Sequence, residues 1–393
     1  MQDDSGDQNS NNNLKDFIQD YWDIFVGISA VLLALFLHKS GFGLSATIFA
    51  AIGIGALSIT VSEIAEILSE RWQEPYGSFV LTFSAVIVEI VLLYIILLQA
   101  FTNPDVVNTV KGGIISAVIV DMNVLLGLAV FLGGLKFIEQ EHNKETSSAY
   151  TTILFVTGIA LLVPSLLSQS NHSKEVIEEA SIVIAALLML FYVIIVVFQT
   201  KTHTHFFKQT ARSRIFRLKR KLKRTSADSV EQSNTEDDYI FEKFNNYGLI
   251  ASIFVSIAII ALGAEVFASD GVKIASEYGI SAGISGLIIA IVSVSPEIMT
   301  AIKAAKNDEI QRVVNIAMGA STVSILLTVP ILMMLAYASG IRLTLAFNPL
   351  EIGALILTII LAWKTTDEGQ TNYFEGISHL MFFMAFAIIA AYY

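Results

Sequence analysis

Three carboxylates stand deep inside long apolar runs of this sequence, where the chemistry open to them is binding ions or protons. Glu89 lies in SFVLTFSAVIVEIVLLYIILL, Asp121 in IISAVIVDMNVLLGLAV and Glu297 in GISGLIIAIVSVSPEIMTAI, and no Lys or Arg shares these stretches. An ionisable group at such depth costs several kcal/mol unless paired or hydrated, so each is a candidate functional group. Glu89 is twelve residues past Gly77, roughly 18 Å along a helix. Hydroxyl or amide groups flank all three: Thr82 and Ser84, Asn123, and Ser293 and Ser295. Pro296 directly precedes Glu297 and Pro75 lies ahead of the Glu89 run. A proline leaves a carbonyl without its helical donor, and such carbonyls can coordinate a cation in a transporter core. Carboxylates, hydroxyls and carbonyls together make a hard oxygen site of the kind Ca2+ and Na+ take. The plain alternative for a single acid is a protonated structural group. It is weakest for the matched pair Glu89 and Glu297, and stays open for Asp121.

A second tier of residues surrounds these. Ser321, Thr322 and Ser324 in NIAMGASTVSILLTVP either line the same cavity or let helices pack closely. Glu63, Glu66 and Glu70 are spaced i, i+3, i+7 and share one helix face. They read as a solvated helix end or as a cation and proton entry. The expected ligand set is Glu89, Glu297, Asp121, Ser84, Ser293, Ser295 and Ser321, with Glu66, Glu63 and Ser324 along the pathway. Arg71 and Glu74 read as structural. His38, His142, His172, His203, His205 and His379 fall mostly at loops or span ends, with no spacing that makes a metal site. There are no cysteines, which excludes disulfides, thiolate metal sites and a cysteine nucleophile.

The elements that must position these groups are membrane spans. The chain of 393 residues is 54% hydrophobic and 15% charged, against roughly 25% charged in a soluble domain. Apolar blocks near the roughly 20 residues that cross a bilayer recur at 24–39, 44–62, 77–100, 112–134, 150–168, 180–199, 247–267, 281–303, 310–338, 346–363 and 373–392. The expected fold is therefore an all-α polytopic membrane protein with 11 transmembrane helices: two inverted five-helix repeats plus one extra N-terminal helix. Residues 1–20 (MQDDSGDQNSNNN onward) read as a disordered tail without the basic start of a secretory signal. Residues 21–43 hold the first helix, 44–199 the first repeat, 200–246 a hydrophilic loop and 247–393 the second repeat. An odd number of spans per half forces the halves to be inverted, a common build for secondary transporters with the site at the repeat interface.

The loop opens with a basic tract from Lys201 to Arg224, including RLKRKLKR, and turns acidic at EQSNTEDD. Basic flanks favour the cytoplasm. Placing this loop inside puts the N-terminus inside and the C-terminus outside, with only Lys39, Lys111, Lys174, Lys273 and Arg342 of the 24 Lys and Arg outside. The tract reads as a solvated linker that touches anionic lipid, not as a nucleic-acid site.

The segments RWQEPYGSFVLTFSAVIVEI, FLGGLKF, FQTKTH and SPEIMTAIKAAKNDEIQRVVNIAMGASTVSILLTVP carry a resemblance. They resemble the calcium/proton antiporter branch of the cation/calcium exchanger superfamily, and within it the ChaA-type bacterial sodium (potassium)/calcium–proton antiporters. The resemblance covers nearly all of residues 20–393. It implies that Glu89 and Glu297 are the family's two repeat glutamates and that Glu66 falls on an acidic position kept before the first repeat. Three departures stand out: Val86 and Val294 occupy positions of Asn ligands, and Ile298 replaces a His. They weigh against high Ca2+ selectivity. Asp121 stands where many relatives carry Asn.

The expected function is a secondary antiporter, not an enzyme, in the cell inner (plasma) membrane. It exchanges cytoplasmic Ca2+, and/or Na+ and K+, for external protons by alternating access, and it needs no cofactor. The alternative is a Na+(K+)/H+ antiporter with little Ca2+ activity. Two rivals are a cation channel lined by the same acids and an intramembrane aspartyl protease. The expected partners are cations, protons and the lipid bilayer, and a homo-oligomer is compatible with the reading.

Overall fold

The computed structural model describes residues 5–72, 76–170, 172–203 and 240–392. Eleven of its helices are long and apolar enough to cross a membrane. They are α1 (Ser5–Lys39), α2 (Gly43–Arg71), α3 (Tyr76–Leu98), α4 (Val106–Phe137), α5 (Lys144–Gln169), α6 (Lys174–Val197), α7 (Asn246–Glu277), α8 (Ala282–Ala305), α9 (Ile310–Ala338), α10 (Pro349–Thr366) and α11 (Tyr373–Ala391). One antiparallel pair of short strands, β1 (Glu139–Glu141) and β2 (Gln370–Asn372), ties the α4–α5 connection to the α10–α11 connection.

Local sequence sets the helix ends. Asn143, Ser173, Asn245 and Ser281 accept a backbone N–H from the first turns of α5, α6, α7 and α8. Asn348 with Glu351, and Asn372 with Glu375, form reciprocal capping boxes that start α10 and α11. Gly279 and Gly340 follow α7 and α9 at φ +64° and +74°, a left-handed conformation suited to glycine.

The connections form two sets, one on each face. On the face where α6 ends and α7 begins, Arg71 donates to the carbonyls of Glu242 and Phe244, Lys136 to that of Lys306, and Gln140 to that of Ala305. On the opposite face, Lys111 donates to Thr344 and the Ala346 carbonyl, and Ser281 to the Ala390 carbonyl. There His38 also meets Asp270 at 2.9 Å. The start of α2 lies against the far end of α7, at Asp270 and Ile274, and the end of α2 meets the start of α7 at Asn246. The two halves thus begin on opposite faces and run inverted. Their lead helices α2 and α7 pack antiparallel along their length.

The third helix of each half is broken in the same way. In α4 a π-turn spans Val120–Leu125, and in α9 another spans Ser324–Thr328. These two helices are the most buried in the molecule. Outer helices show the reverse: Val183, Leu187, Leu190 and Ile194 form an exposed stripe along α6 at 58%, 53%, 58% and 56%. That stripe is the lipid-facing surface of a multi-pass membrane protein.

The helix α1 begins at Ser5. Leu14, Phe17, Ile18 and Tyr21 follow the i, i+3, i+4, i+7 pattern of a helix face. His379 is not at a span end but wholly buried inside α11. Pro75, Glu74, His205 and most of the 200–246 loop lie outside the described residues.

Candidate functional site

Glu89 projects from α3, the second helix of its half, and is 7% exposed. Its Oε2 accepts hydrogen bonds from Ser324 Oγ (2.8 Å) and Thr328 Oγ1 (3.1 Å), both on α9 of the other half. Its Oε1 is buried with no partner. Asp121 is the second residue of the π-turn of α4 and is 1% exposed; its Oδ2 accepts from Ser321 Oγ on α9 at 3.2 Å, and its Oδ1 has no partner. Glu297 projects from α8 at the place matching Glu89, half-buried, with Oε2 unpartnered. The three carboxylates are near enough to act on one another electrostatically. Thr322 Oγ1, next to Ser321 on α9, is also buried without a partner.

The π-turns explain this convergence. A π-turn shifts the backbone pattern by one residue and is frequent at functional sites. In α9 the Val329 N–H bonds the Ser324 carbonyl, and in α4 the Leu126 N–H bonds the Asp121 carbonyl. Each turn re-aims the side chains of a central helix at the other half. The approach is close because glycines line the helix crossings. A Cβ on Gly286 of α8 would fall 2.5 Å from the Gly113 nitrogen of α4, and one on Gly127 of α4 would fall 2.9 Å from His379 Cβ of α11.

The remaining expected ligands behave differently. Ser84, Ser293 and Ser295 donate to carbonyls of their own helices, at Val80, Ala290 and Val292. The Val292 carbonyl is the one Pro296 leaves without its helical donor, and the Ser295 hydroxyl fills that place. The Thr82 side chain lies outside the described residues. Ser324, expected along the pathway, instead bonds Glu89 directly. Glu66 of α2 forms an ion pair with Arg312 of α9, joining the halves near the face where α7 begins. Glu63 is half-buried one turn earlier. Among the described residues no three His, Asp or Glu form a preformed metal cluster.

Sequence reasoning missed Thr328 and the surroundings of Asn123. Thr328 is four residues after Ser324, a spacing that puts both on one face and could have found it. Asn123 turns away from the acids: it donates to Thr358 Oγ1 at 2.9 Å, and its Oδ1 meets His379 Nδ1 at 3.0 Å. His379 Nε2 meets Thr365 Oγ1 at 3.0 Å. This closed network pins α10 and α11 to the α4 π-turn, and no local pattern announces it.

Known proteins resemble this chain in sequence and in fold. A family model described as "Sodium/calcium exchanger protein" matches residues 40–201 and 248–392, one block in each half. The chain is 27% identical over 362 residues to the sodium-potassium/proton antiporter ChaA of Escherichia coli (strain K12), covering 90% of this chain and 92% of that protein. It is 23% identical over 306 residues to a Ca(2+)/H(+) antiporter of Synechocystis, covering 77% and 78%. Among solved structures, native YfkE matches with a TM-score of 0.73 at 19% identity, over 94% of this chain and 100% of that one. The H+/Ca2+ exchanger CAX matches at 0.65 and 13% identity, over 95% and 92%; at such identities these two structures speak for the fold alone. The relatives are transporters rather than enzymes. With both halves matched by its model, the chain belongs to the sodium/calcium exchanger protein family.

Proposed function

We propose that this protein is a secondary antiporter that carries Na+, K+ or Ca2+ out of the cytoplasm in exchange for external protons, with Glu89, Asp121 and Glu297 shared between cation and proton. One observation carries the reading: three carboxylates at the meeting of two inverted halves, each with a buried oxygen that no donor among the described residues satisfies. A bare anion in such surroundings is costly. Each oxygen is relieved by a proton or by a metal ion, and not by both at once. Alternating access then follows. The protonated site and the cation-loaded site both cross between faces, while the empty, charged site does not. Ca2+ takes several oxygen ligands at once and needs two carboxylates; Na+ or K+ can use one.

The relatives divide on the ion, one being a sodium-potassium/proton and others Ca(2+)/H(+) antiporters. The valines at 86 and 294 remove amide ligands and favour the monovalent reading, whereas the extra charge of Asp121 favours Ca2+. The basic tract 201–224 supports a central loop and an N-terminus on the cytoplasmic side of a cell inner membrane.

The test is exchange in proteoliposomes with an imposed pH gradient and a trapped pH dye, adding Na+, K+ and Ca2+ in turn. Dequenching on cation addition that is lost in both Glu89→Gln and Glu297→Gln supports the antiporter and names its ion. Full exchange in either variant overturns the site. Electrogenic cation leakage without proton movement makes the protein a channel instead.

A further inference from the structure

Serine and threonine hydroxyls inside helices usually turn back on their own backbone. This molecule follows that habit: Ser58 donates to the Ile54 carbonyl, Ser84 to Val80, Thr151 to Ser147, Thr300 to Pro296 and Thr366 to Ala362. Ser324 and Thr328 depart from it. They bracket the π-turn of α9, and both hydroxyls leave their helix for the same atom, Oε2 of Glu89. Both residues are buried, at 4% and 0%.

A carboxylate oxygen accepts about two strong hydrogen bonds. Two donors at 2.8 and 3.1 Å therefore fill Oε2. They also fix the plane and tilt of the carboxyl group, because they come from two points on one rigid helix. The other oxygen, Oε1, is buried and faces no donor. Glu297, the matching acid of the other half, receives no side-chain donor among the described residues. The two repeat glutamates are therefore built differently: one is held by α9, the other is not.

We infer that Thr328 is a positioning residue for exchange: with Ser324 it holds Oε2 of Glu89 and reserves Oε1 as the atom that takes the proton or the cation. The inference rests on the antiport reading above and on Glu89 being a shared ligand. It adds a direction to the exchange chemistry. A donor hydrogen bond favours the ionised carboxylate over the protonated one. Thr328 thus tilts the competition at Glu89 toward the cation without touching the cation itself. Removing its hydroxyl leaves Oε2 half-filled and lets a proton compete better.

The test compares Thr328→Val, which keeps the shape and removes the hydroxyl, with Thr328→Ser, which keeps the hydroxyl. The full chain is reconstituted in proteoliposomes, and exchange is driven by Na+, K+ or Ca2+ over a range of pH. A hydrogen bond to a charged group sets the expected size at about tenfold. Thr328→Val should raise the cation KM about tenfold at fixed pH, keep the maximal rate within about twofold, and recover the wild-type KM when the pH is raised by about one unit. Thr328→Ser should restore the KM. Infrared difference spectra give a second readout without transport. The protonated-carboxyl band that cation addition removes, absent in Glu89→Gln, should need about tenfold more cation in Thr328→Val.

An unchanged KM in Thr328→Val at every pH overturns the inference. So does a lost maximal rate that Thr328→Ser does not rescue, because that describes packing alone. If Glu89→Gln abolishes exchange while Thr328→Val is silent, only this inference fails. If Glu89→Gln retains both exchange and the band, the shared-carboxylate reading fails and this inference falls with it.

Discussion

Replacing Gly286 by alanine tests whether the close crossing of α4 and α8 is what sets the spacing of the carboxylates. The new Cβ would lie 2.5 Å from the Gly113 nitrogen, 2.6 Å from the Gly112 carbonyl carbon and 3.0 Å from Gly112 Cα. All three are backbone atoms, so no side chain can swing aside. Ordinary contact begins at 3.4 Å, so the two helices must separate by about 0.9 Å at this point or bend around it. Overpacking of this kind costs about 1–3 kcal/mol. The same displacement reaches the site, since Asp121 and Glu297 ride on these two helices below the crossing. Moving one carboxylate oxygen from about 2.5 to about 3.4 Å from a monovalent ion, at an effective dielectric of about 20, loses about 1.8 kcal/mol. That is about 20-fold in affinity. The assay is cation affinity by calorimetry in detergent, with the thermal midpoint recorded on the same samples. Gly353→Ala on α10 is the control, because a Cβ there meets nothing within 4 Å. Wild-type affinity and midpoint in Gly286→Ala would refute the reasoning that this crossing spaces the acids.

Two further outcomes follow from the structure. His379→Leu strands the Asn123 carbonyl and the Thr365 hydroxyl in the core, costing about 2–4 kcal/mol; the thermal midpoint should fall, and His379→Gln, which can still hydrogen bond, should fall less. His142 lies on the connection beside β1, and its Nε2–H donates to the Thr366 carbonyl at 3.1 Å. Burial holds its pKa below the ordinary 6.5, with the Thr366 carbonyl opposing. Because the folded form binds the proton less well than the unfolded chain, the contribution is complete above about 6.5 and is lost as the pH falls below it. Thermal midpoints across that window should decline in the wild type and flatten in His142→Gln.

Much of this architecture could be read from the residues alone. Apolar runs of span length, broken by one charged segment, give the eleven helices and the division into halves, because a bilayer allows a chain few other forms. The buried acids were visible for the same reason, since Glu89, Asp121 and Glu297 are expensive where they stand. Span ends were less legible. α2 runs on to Arg71 and α7 to Glu277, beyond the apolar stretches, because polar residues at a helix end remain hydrated and do not stop it. The partners of the acids were hidden. A hydroxyl on a span can turn to its own backbone, as at Ser84 and Ser293, or outward, as at Ser324 and Thr328, and only the π-turn decides between them. Pairings between distant segments, such as Glu66 with Arg312 or Asn123 with His379, depend on how helices meet and leave no mark in local spacing.

The most direct test of the shared carboxylates is proton release on cation binding. The purified protein is held in detergent with minimal buffer, and Na+, K+ or Ca2+ is added while a pH indicator reports released protons and calorimetry reports binding. The account predicts protons released in step with the cation bound, reduced in Glu89→Gln, Asp121→Asn and Glu297→Gln and absent when all three carboxylates are replaced. Binding of the cation with no proton released would contradict it.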